Sequence, residues 1–332
     1  FVEPVMGSWA FPIPAIWVGL GGHYGKQSEK MMGKRSGEIY VLGVVLIFCF
    51  LSPSVSYGDQ EIKHLISITR SEEFGTLGLL GGVFFDESKE RFYVTDASHN
   101  RILSFDSNFK FLSEFTGGDA LTWPTGLVRD SRGRFFVAQP TEGSVVLIDI
   151  SKRDIQPIDF GSIPSENPIY PCNLAVGPFD DLYVVDKANE RILIFDVNQK
   201  FSGEITVEGA RGLKDVKVDS SGRVYAVSTI DGSVHIYDAK GARVFRFGRK
   251  ADEKGAFRFP VSLAVDRKGL IYVLDQHMSK VLVFNRRGEF LFDFSRLGWR
   301  EGRLHYPSYI FINRSGRIFI IDRQNSRVSI FE

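Results

Sequence analysis

Short apolar runs and polar turns alternate along most of the chain in one recurring pattern. The last copy, residues 317–332, has apolar runs at 318–321 and 328–331 on either side of a polar turn. Two such runs predict an antiparallel hairpin, which is too short to bury its own apolar faces. Similar hairpins precede it at 91–106, 134–149, 181–196, 223–238 and 270–285. The pattern therefore predicts a repeat architecture in which the copies pack against one another.

Each repeat contains more than the hairpin. An aromatic residue followed by proline, at 123–124, 170–171, 259–260 and 306–307, precedes a further apolar strand, and a turn that opens with Asp or Asn and closes with Gly leads into the hairpin. A fourth apolar stretch follows the hairpin, most clearly at 242–247 and 289–294. Each repeat is therefore predicted to be a four-stranded antiparallel sheet.

The number and spacing of the repeats predict the fold class. One position, occupied by Asp96, Gln139, Asp186, Ser228, Asp275 and Asp322, recurs every 42 to 47 residues. Four-stranded sheets at this period are typical of propeller blades, so we expect an all-β, six-bladed β-propeller over residues 59–332. The last repeat ends after its third strand. We expect the strand at 61–68 to supply the missing one and to close the ring.

The first 58 residues lack the repeat. Residues 1–30 contain three prolines and no usable period, and we expect them to be poorly ordered or a spurious extension. Residues 31–58 combine two basic residues, a 13-residue apolar run at 39–51 and a stretch of small residues. This is the pattern of an export signal, and the apolar run is shorter than the ~20 residues of a spanning helix. The sequence predicts a periplasmic or extracellular protein of bacterial type. Retention of the run as an anchor stays open.

Charge and cysteine content narrow the possible functions. Four basic and three acidic residues lie in the first 58, which leaves 37 of each sign in residues 59–332. A balanced domain lacks the basic face that nucleic acids require, so we expect no nucleic-acid partner.

Cys172 is the only cysteine after residue 58. It is predicted to be a small buried side chain and not a nucleophile, because the repeat marks no histidine beside it.

The repeat resembles the NHL family. The phrases Tyr-Val-x-Asp-x-x-x-x-Arg-Ile-x-x-Phe-Asp and Phe-Gly-x…Gly-x-Phe-x-x-Pro, the latter at 247–260, carry the similarity. The second and fourth repeats depart from it, with Gln139 and Ser228 in place of the Asp, and with Ser144 and Ser233 in place of the basic residue. The resemblance implies a propeller, but not one function. The family contains protein-binding scaffolds, RNA-binding propellers and a metal-dependent lyase.

Two sets of polar residues could carry chemistry. The paired Asp and basic residues of the repeat, such as Asp322 and Arg327, are predicted to clasp the loop between the second and third strands. A ring of carboxylates around a cation is the alternative. Likewise His99, His277 and His305 could converge on one face and hold zinc. Since they occupy non-equivalent repeat positions, we expect scattered surface histidines and no cofactor, with Zn²⁺ or Ca²⁺ as the alternative.

Aromatic and basic residues in the connections between blades indicate a partner surface. One set of aromatic residues recurs directly before proline, and this recurrence predicts a structural role as wedges between blades. These residues are Trp123, Tyr170, Phe259 and Tyr306. A Trp among arginines at 296–303 and a basic segment at 243–254 suit a partner, although ordinary solvated loops are the alternative. The residues that we expect to contact a ligand are Trp299, Arg300, Arg303, His305, Arg249 and Lys250, with Asn173, Asp215 and Tyr309 near the channel mouth.

The sequence thus predicts an exported, monomeric NHL-type propeller that binds a protein, peptide or glycan. Loops on a rigid ring are where such folds place variable contacts. The alternative is a metal-dependent lyase or lactonase with an ion at the channel mouth. Neither a phosphate-binding glycine loop nor a serine nucleophile motif appears.

Overall fold

The computed structural model describes residues 62–332, and the predictions for residues 1–30 and 31–58 lie outside this part of the chain. Its strands form six four-stranded antiparallel sheets and one small hairpin. The predicted all-β, six-bladed propeller is confirmed. Within the described residues, no helix has the length and apolar character needed to cross a bilayer.

The first half of the ring follows a short N-terminal segment. This segment contains strand β1 (His64–Ile68) and the hairpin β2 (Arg70–Ser71) and β3 (Gly75–Thr76). Blade 1 contains β4 (Leu80–Asp86), β5 (Arg91–Asp96), β6 (Arg101–Asp106) and β7 (Phe111–Phe115). Blade 2 contains β8 (Leu127–Arg129), β9 (Phe135–Gln139), β10 (Ser144–Asp149) and β11 (Asp154–Pro157). Blade 3 contains β12 (Pro171–Val176), β13 (Leu182–Asp186), β14 (Arg191–Phe195) and β15 (Phe201–Thr206).

The second half repeats this order from the innermost strand outward. Blade 4 contains β16 (Leu213–Val218), β17 (Val224–Ser228), β18 (Ser233–Tyr237) and β19 (Arg243–Phe247). Blade 5 contains β20 (Pro260–Val265), β21 (Ile271–Asp275), β22 (Lys280–Phe284) and β23 (Phe290–Phe294). Blade 6 contains β24 (Tyr309–Ile312), β25 (Ile318–Asp322) and β26 (Arg327–Phe331). Short 3-10 helices lie at Ala97–His99, Gly118–Ala120, Pro140–Glu142 and Arg323–Asn325.

The outer position of blade 6 is occupied by β1. It pairs with β26 in antiparallel register, from His64 opposite Phe331 to Ile68 opposite Val328. The sheet order is therefore β1, β26, β25, β24, so the first and last strands of the described residues lie in one blade. This pairing covers the edge that β26 would otherwise present to solvent.

Turn chemistry sets the register of the two inner strands in each blade. In the turn after β16, the Asp219 carboxylate accepts the backbone N–H of Ser221 at 2.8 Å, and Gly222 adopts a φ of 81°. Asp266 and Gly269 repeat this arrangement in blade 5, where the glycine φ is 77°. A left-handed φ costs glycine little, which explains why Gly closes these turns.

The core lies between blades. The described residues contain six clusters of buried apolar side chains, and each joins two neighbouring blades. In the cluster between blades 1 and 6, Phe92 stacks on Phe105 at 4.9 Å and contacts Phe319 at 5.3 Å. A rigid ring results, on which the loops at either end are presented.

Candidate functional site

The repeated acidic and basic residues form clasps at one end of the ring. In three blades the carboxylate is fully buried and pairs with an arginine whose side chain is also largely buried. The pairs are Asp96–Arg101 at 3.0 Å, Asp186–Arg191 at 3.0 Å and Asp322–Arg327 at 2.7 Å. The predicted clasp is confirmed there. Blade 5 differs, because Lys280 pairs with Asp293 of β23 at 3.0 Å instead of with Asp275.

The clasp of blade 6 holds the connection that precedes it. Besides its bond to Asp322, the Arg327 guanidinium donates to the carbonyls of Trp299 at 3.1 Å, Arg300 at 3.1 Å and Arg303 at 2.6 Å. Multidentate guanidinium bonds of this kind are among the stronger hydrogen bonds in proteins. The buried Arg327 side chain therefore fixes the backbone of Trp299, Arg300 and Arg303, the residues that are predicted to contact a ligand.

Blades 2 and 4 cap the connection without the repeated Asp, although in blade 4 the Asp231 carboxylate also accepts the backbone N–H of Arg211 at 3.0 Å. The Gln139 side-chain carbonyl accepts the backbone N–H of Thr122, and the Ser228 hydroxyl accepts that of Arg211 at 2.9 Å. These two residues thus cap the same connection that the Asp residues cap in the other blades. The departures from the repeat preserve its structural role.

Five rings form a continuous track across the connections of blades 5 and 6. Phe259 stacks on His277 at 4.3 Å with ring planes 10° apart, and His277 meets Tyr306 edge to face at 6.0 Å. Tyr306 contacts His305 at 5.6 Å, and His305 contacts Trp299 at 5.8 Å, both edge to face. Trp299 is 77% exposed. We call these five residues the aromatic track.

Two predicted basic residues adjoin this track in different ways. The ammonium group of Lys250 lies 5.8 Å from the centroid of the Phe259 ring, so it extends the track at its blade 4 end. The exposed Arg249 is instead ion-paired with Glu253, which offsets its charge. We therefore keep Lys250 in the candidate site. The positive charge of Arg249 is largely offset by the carboxylate of Glu253.

The four aromatic residues that precede proline differ in their surroundings. Trp123, Tyr170 and Tyr306 are 38%, 43% and 44% exposed, and Phe259 is half-buried. Trp123 and Tyr306 also have left-handed backbone conformations, with φ of 49° and 48°. Bulky residues rarely adopt such φ values, and residues held there often serve function. The exposure of Trp123, Tyr170 and Tyr306 contradicts the predicted wedge at these three positions. Phe259 instead packs against the apolar cluster between blades 5 and 6, as the prediction expects.

A concave cavity of about 450 Å³ lies at this end of the channel, and we call it the funnel. Two tiers of residues line it, with one residue from each blade in each tier. The upper tier follows the repeated Asp position and consists of Ala97, Pro140, Lys187, Thr229, Gln276 and Arg323. The lower tier lies at the start of the innermost strands and consists of Gly81, Thr125, Cys172, Lys214, Val261 and Ser308. Trp123, Tyr170 and Phe259 also line it.

A buried polar cluster surrounds Asp215 on the innermost strand of blade 4. The Lys217 ammonium lies 2.6 Å from both carboxylate oxygens of Asp215, and the Ser262 hydroxyl donates to the same carboxylate at 2.6 Å. Lys217 also lies 4.6 Å from the centroid of the Tyr309 ring. Burial opposes the charge on Lys217, but Asp215 and Tyr309 outweigh it and raise the pKa of this ammonium. Burial raises the pKa of Tyr309, with Asp215 adding to this effect and Lys217 opposing it.

This cluster bears on whether a metal could bind at Asp215. Both oxygens of the carboxylate are used, since the backbone N–H groups of Val216 and Leu263 also donate to it at 2.9 and 3.1 Å. An internal ammonium ion thus occupies the position of a counter-ion. The residues present do not fit a divalent ion at Asp215.

The remaining channel-mouth prediction, Asn173, does line the funnel. Its side chain is buried, and its carbonyl oxygen accepts the neighbouring backbone N–H of Leu174 at 2.9 Å. Asn173 therefore shapes the floor of the funnel.

The histidines do not converge. His99 bonds to Asp96 at 2.7 Å, whereas His277 and His305 belong to the aromatic track. In residues 62–332, no three His, Cys, Asp or Glu side chains lie close enough together to hold one metal ion. The zinc cluster considered from the sequence has no structural counterpart among these residues.

Cys172 is buried in the lower tier of the funnel. Burial raises the pKa of its thiol to about 11, and its sulfur contacts the Lys214 carbonyl at 3.5 Å. A thiol with such a pKa is a poor nucleophile at neutral pH. The prediction of a structural cysteine is confirmed.

Sequence reasoning missed the three cations of the funnel, namely Lys187, Lys214 and Arg323. A signal for two of them was present, because Lys187 and Arg323 directly follow the repeated Asp of blades 3 and 6. Every residue at that repeat position lines the funnel. The position carries no recurring residue type. In the other four blades it holds Ala97, Pro140, Thr229 and Gln276.

Compared by sequence, the chain matches no family model and no curated protein. In fold it is similar to virginiamycin B lyase from Staphylococcus aureus, with 11% identity and a TM-score of 0.60, over 82% of this chain and 99% of that one. It is also similar to a gluconolactonase from Xanthomonas campestris, with 13% identity and a TM-score of 0.59, over 77% and 86%. A Bacteroides thetaiotaomicron protein of unknown function gives 13% identity and 0.60, over 81% and 75%. Such identities establish a shared fold alone.

Proposed function

We propose that this chain is an exported propeller of NHL type that acts as a binding module and takes a protein, peptide or glycan partner on its funnel face. The aromatic track carries the proposal. Solvent-exposed rings cost solvation free energy unless a partner covers them, and aromatic residues are enriched where partners bind. The track joins Trp299, at the edge of this face, to Phe259 on the funnel wall.

The way the track is supported favours binding over incidental exposure. Arg327 fixes the backbone at Trp299, Arg300 and Arg303, and the Asp322 carboxylate accepts the backbone N–H of His305 at 2.6 Å. A preorganised surface loses less conformational entropy on association than a mobile one. The clasp of blade 6 therefore holds the backbone of the exposed rings in place before a partner binds.

Export is part of this proposal and is supported by the pattern of residues 31–58. N-terminal sequencing of the exported protein is the check. A first residue beyond position 50 is expected, and an earlier one would contradict cleavage of the signal.

The enzymatic alternative has weaker support. A lyase and a gluconolactonase share the fold, but the carboxylate that an ion at the channel mouth would need is paired with Lys217. One fold commonly hosts several functions. The exposure of the aromatic track, by contrast, is explained by a bound partner alone.

The experiment compares two equally exposed aromatic residues at opposite ends of the ring. Trp299 is 77% exposed on the funnel face, and Phe179 is 79% exposed in the turn between β12 and β13 at the other end. We expect wild-type protein to bind members of a glycan array or a peptide array. Trp299→Ala should weaken that binding about tenfold or more, as removal of a central aromatic contact does.

Phe179→Ala is the matched control and should leave affinity unchanged. Equal losses in the two variants, or no loss in either, would contradict the assignment of binding to the funnel face.

A further inference from the structure

The funnel carries three positive charges and no negative one. Lys187, Lys214 and Arg323 are its charged lining residues, and no Asp or Glu side chain lines it. Among the described residues, none of the three has a carboxylate within ion-pair distance, although 41 basic and 40 acidic residues occur in the chain. Lys187 and Lys214 line the funnel together with Cys172, whose sulfur lies 3.5 Å from the Lys214 carbonyl oxygen.

The opposite mouth of the channel has the reverse character. Its cavity, of about 780 Å³, is lined by six carboxylates and four basic side chains. Among the carboxylates, Asp86 is ion-paired with Arg129, and Asp180 accepts hydrogen bonds from Ser131. The positive funnel is therefore a property of one end and not of the whole ring. A concave site of one sign concentrates ligands of the other sign.

Several backbone carbonyls of the funnel wall already accept hydrogen bonds, so the wall presents mainly side chains to a ligand. Side chains of neighbouring blades already donate to carbonyls at the start of the innermost strands. These bonds run from Thr95 to the Thr125 carbonyl at 2.8 Å, from Thr229 to that of Pro260 at 2.8 Å, and from Gln276 to that of Pro307 at 3.2 Å. A peptide that binds by strand addition needs such carbonyls. Recognition in the funnel must therefore depend on rings and cations.

We propose that the funnel binds the carboxylate group of an acidic oligosaccharide, such as one built from uronic acids. Lys187, Lys214 and Arg323 supply the charges, the exposed Tyr170 supplies a ring face for the apolar side of a pyranose, and the aromatic track guides the rest of the glycan toward Trp299. The inference rests on the proposed function and narrows its partner to one class. The cavity volume lies within the range of small-molecule sites, so the funnel suits a terminal sugar and not a folded domain.

The test measures binding by calorimetry with three probes: tri-galacturonate, the neutral sugar galactotriose, and a hexaglutamate peptide. We expect tri-galacturonate to bind and galactotriose, which has no carboxylate, to bind at least about tenfold more weakly, because one charged hydrogen bond contributes about this factor. Hexaglutamate keeps the negative charge but has no pyranose to cover the aromatic rings, so it should also bind at least about tenfold more weakly. Raising the ionic strength should weaken tri-galacturonate binding, since exposed charges are screened over about 8 Å at physiological salt.

Two variants and a matched control assign the site. Lys214→Gln and Arg323→Gln should each weaken tri-galacturonate binding about tenfold. Arg267→Gln removes the same charge from an exposed arginine at the opposite mouth and should change nothing. All three positions are outside the core, so thermal unfolding of each variant should match that of the wild type.

Two outcomes overturn the inference and separate it from the proposed function. If galactotriose or hexaglutamate binds as tightly as tri-galacturonate, and Trp299→Ala still weakens that binding, the funnel face binds a partner but does not select an acidic glycan. If tri-galacturonate binding is absent, or is equally strong in Lys214→Gln, Arg323→Gln and Arg267→Gln, the cations have no role in recognition. Loss of binding to every array member would in addition contradict the proposed function.

Discussion

At the scale of single residues, adjacent positions of β16 have opposite roles. The pairing of β16 with β17 shifts register between Leu213 and Asp215, so Lys214 lies at an irregularity of the strand. Lys214 lines the funnel, whereas Asp215 is fully buried and meets Lys217. The sequence marked Asp215 as a ligand-contacting residue. The residue that carries an available charge is its neighbour.

Removing Lys217 should destabilise the protein strongly. Lys217→Met leaves the buried Asp215 carboxylate without its counter-charge, and breaking a buried pair on one side costs about 3–5 kcal/mol. Urea denaturation measures this loss. The double variant Asp215→Leu with Lys217→Met should recover a large part of it, because no charge remains to be desolvated. A loss below about 1 kcal/mol in the single variant, typical of exposed pairs, would contradict the described cluster.

The identity of that buried pair could not be read from the sequence. Asp215 and Lys217 are two positions apart on one strand, a spacing that places them on the same face. Pattern alone does not tell whether this face meets solvent, a ligand or a neighbouring blade. Ser262, which donates to Asp215 from blade 5, lies 47 residues away in the chain. Only the closed ring brings the three together.

At the scale of elements, the clasp of blade 6 is a support for the connection that it holds. The side chain of Arg327 is 7% exposed and bonds to Asp322 and three carbonyls, whereas that of Lys280 in blade 5 is 36% exposed and pairs only with Asp293. The repeat gives both residues the same position. Because Arg327 is buried and Lys280 is partly exposed, we expect the Arg327 pair to contribute more to the free energy of unfolding.

Arg327→Met should therefore lower the free energy of unfolding by about 3 kcal/mol or more, because a buried carboxylate and three carbonyls lose their donor. Lys280→Met should lower it by less than about 1 kcal/mol, as expected for a partly exposed pair. Chemical denaturation of the two variants measures both values. Similar losses would show that the clasp does not depend on burial.

The elements themselves were largely predictable. The apolar runs at 318–321 and 328–331 correspond to β25 (Ile318–Asp322) and β26 (Arg327–Phe331). The polar turn between them contains a 3-10 helix at Arg323–Asn325, which the pattern did not indicate. A three-residue helix leaves no periodic signal, and here it positions Arg323 at the funnel.

At the scale of the whole molecule, the two ends of the ring differ in charge although residues 59–332 contain equal numbers of basic and acidic residues. The period of the repeat predicted six blades because each hairpin needs neighbours to bury its faces. Composition could not predict the positive funnel, since an average over the chain hides the side on which each charge lies. The candidate site is therefore a product of ring closure and loop placement.

The most direct test of the account is hydrogen–deuterium exchange of the wild-type protein with and without tri-galacturonate, or with the best array ligand if another binds more tightly. We expect the ligand to slow exchange in the connections at 249–259 and 296–308 and around residues 187 and 214. The turns at the other end, at 130–133, 219–222 and 266–269, should be unaffected. Slower exchange at those turns, or at neither end while binding is measurable, would contradict a ligand site on the funnel face.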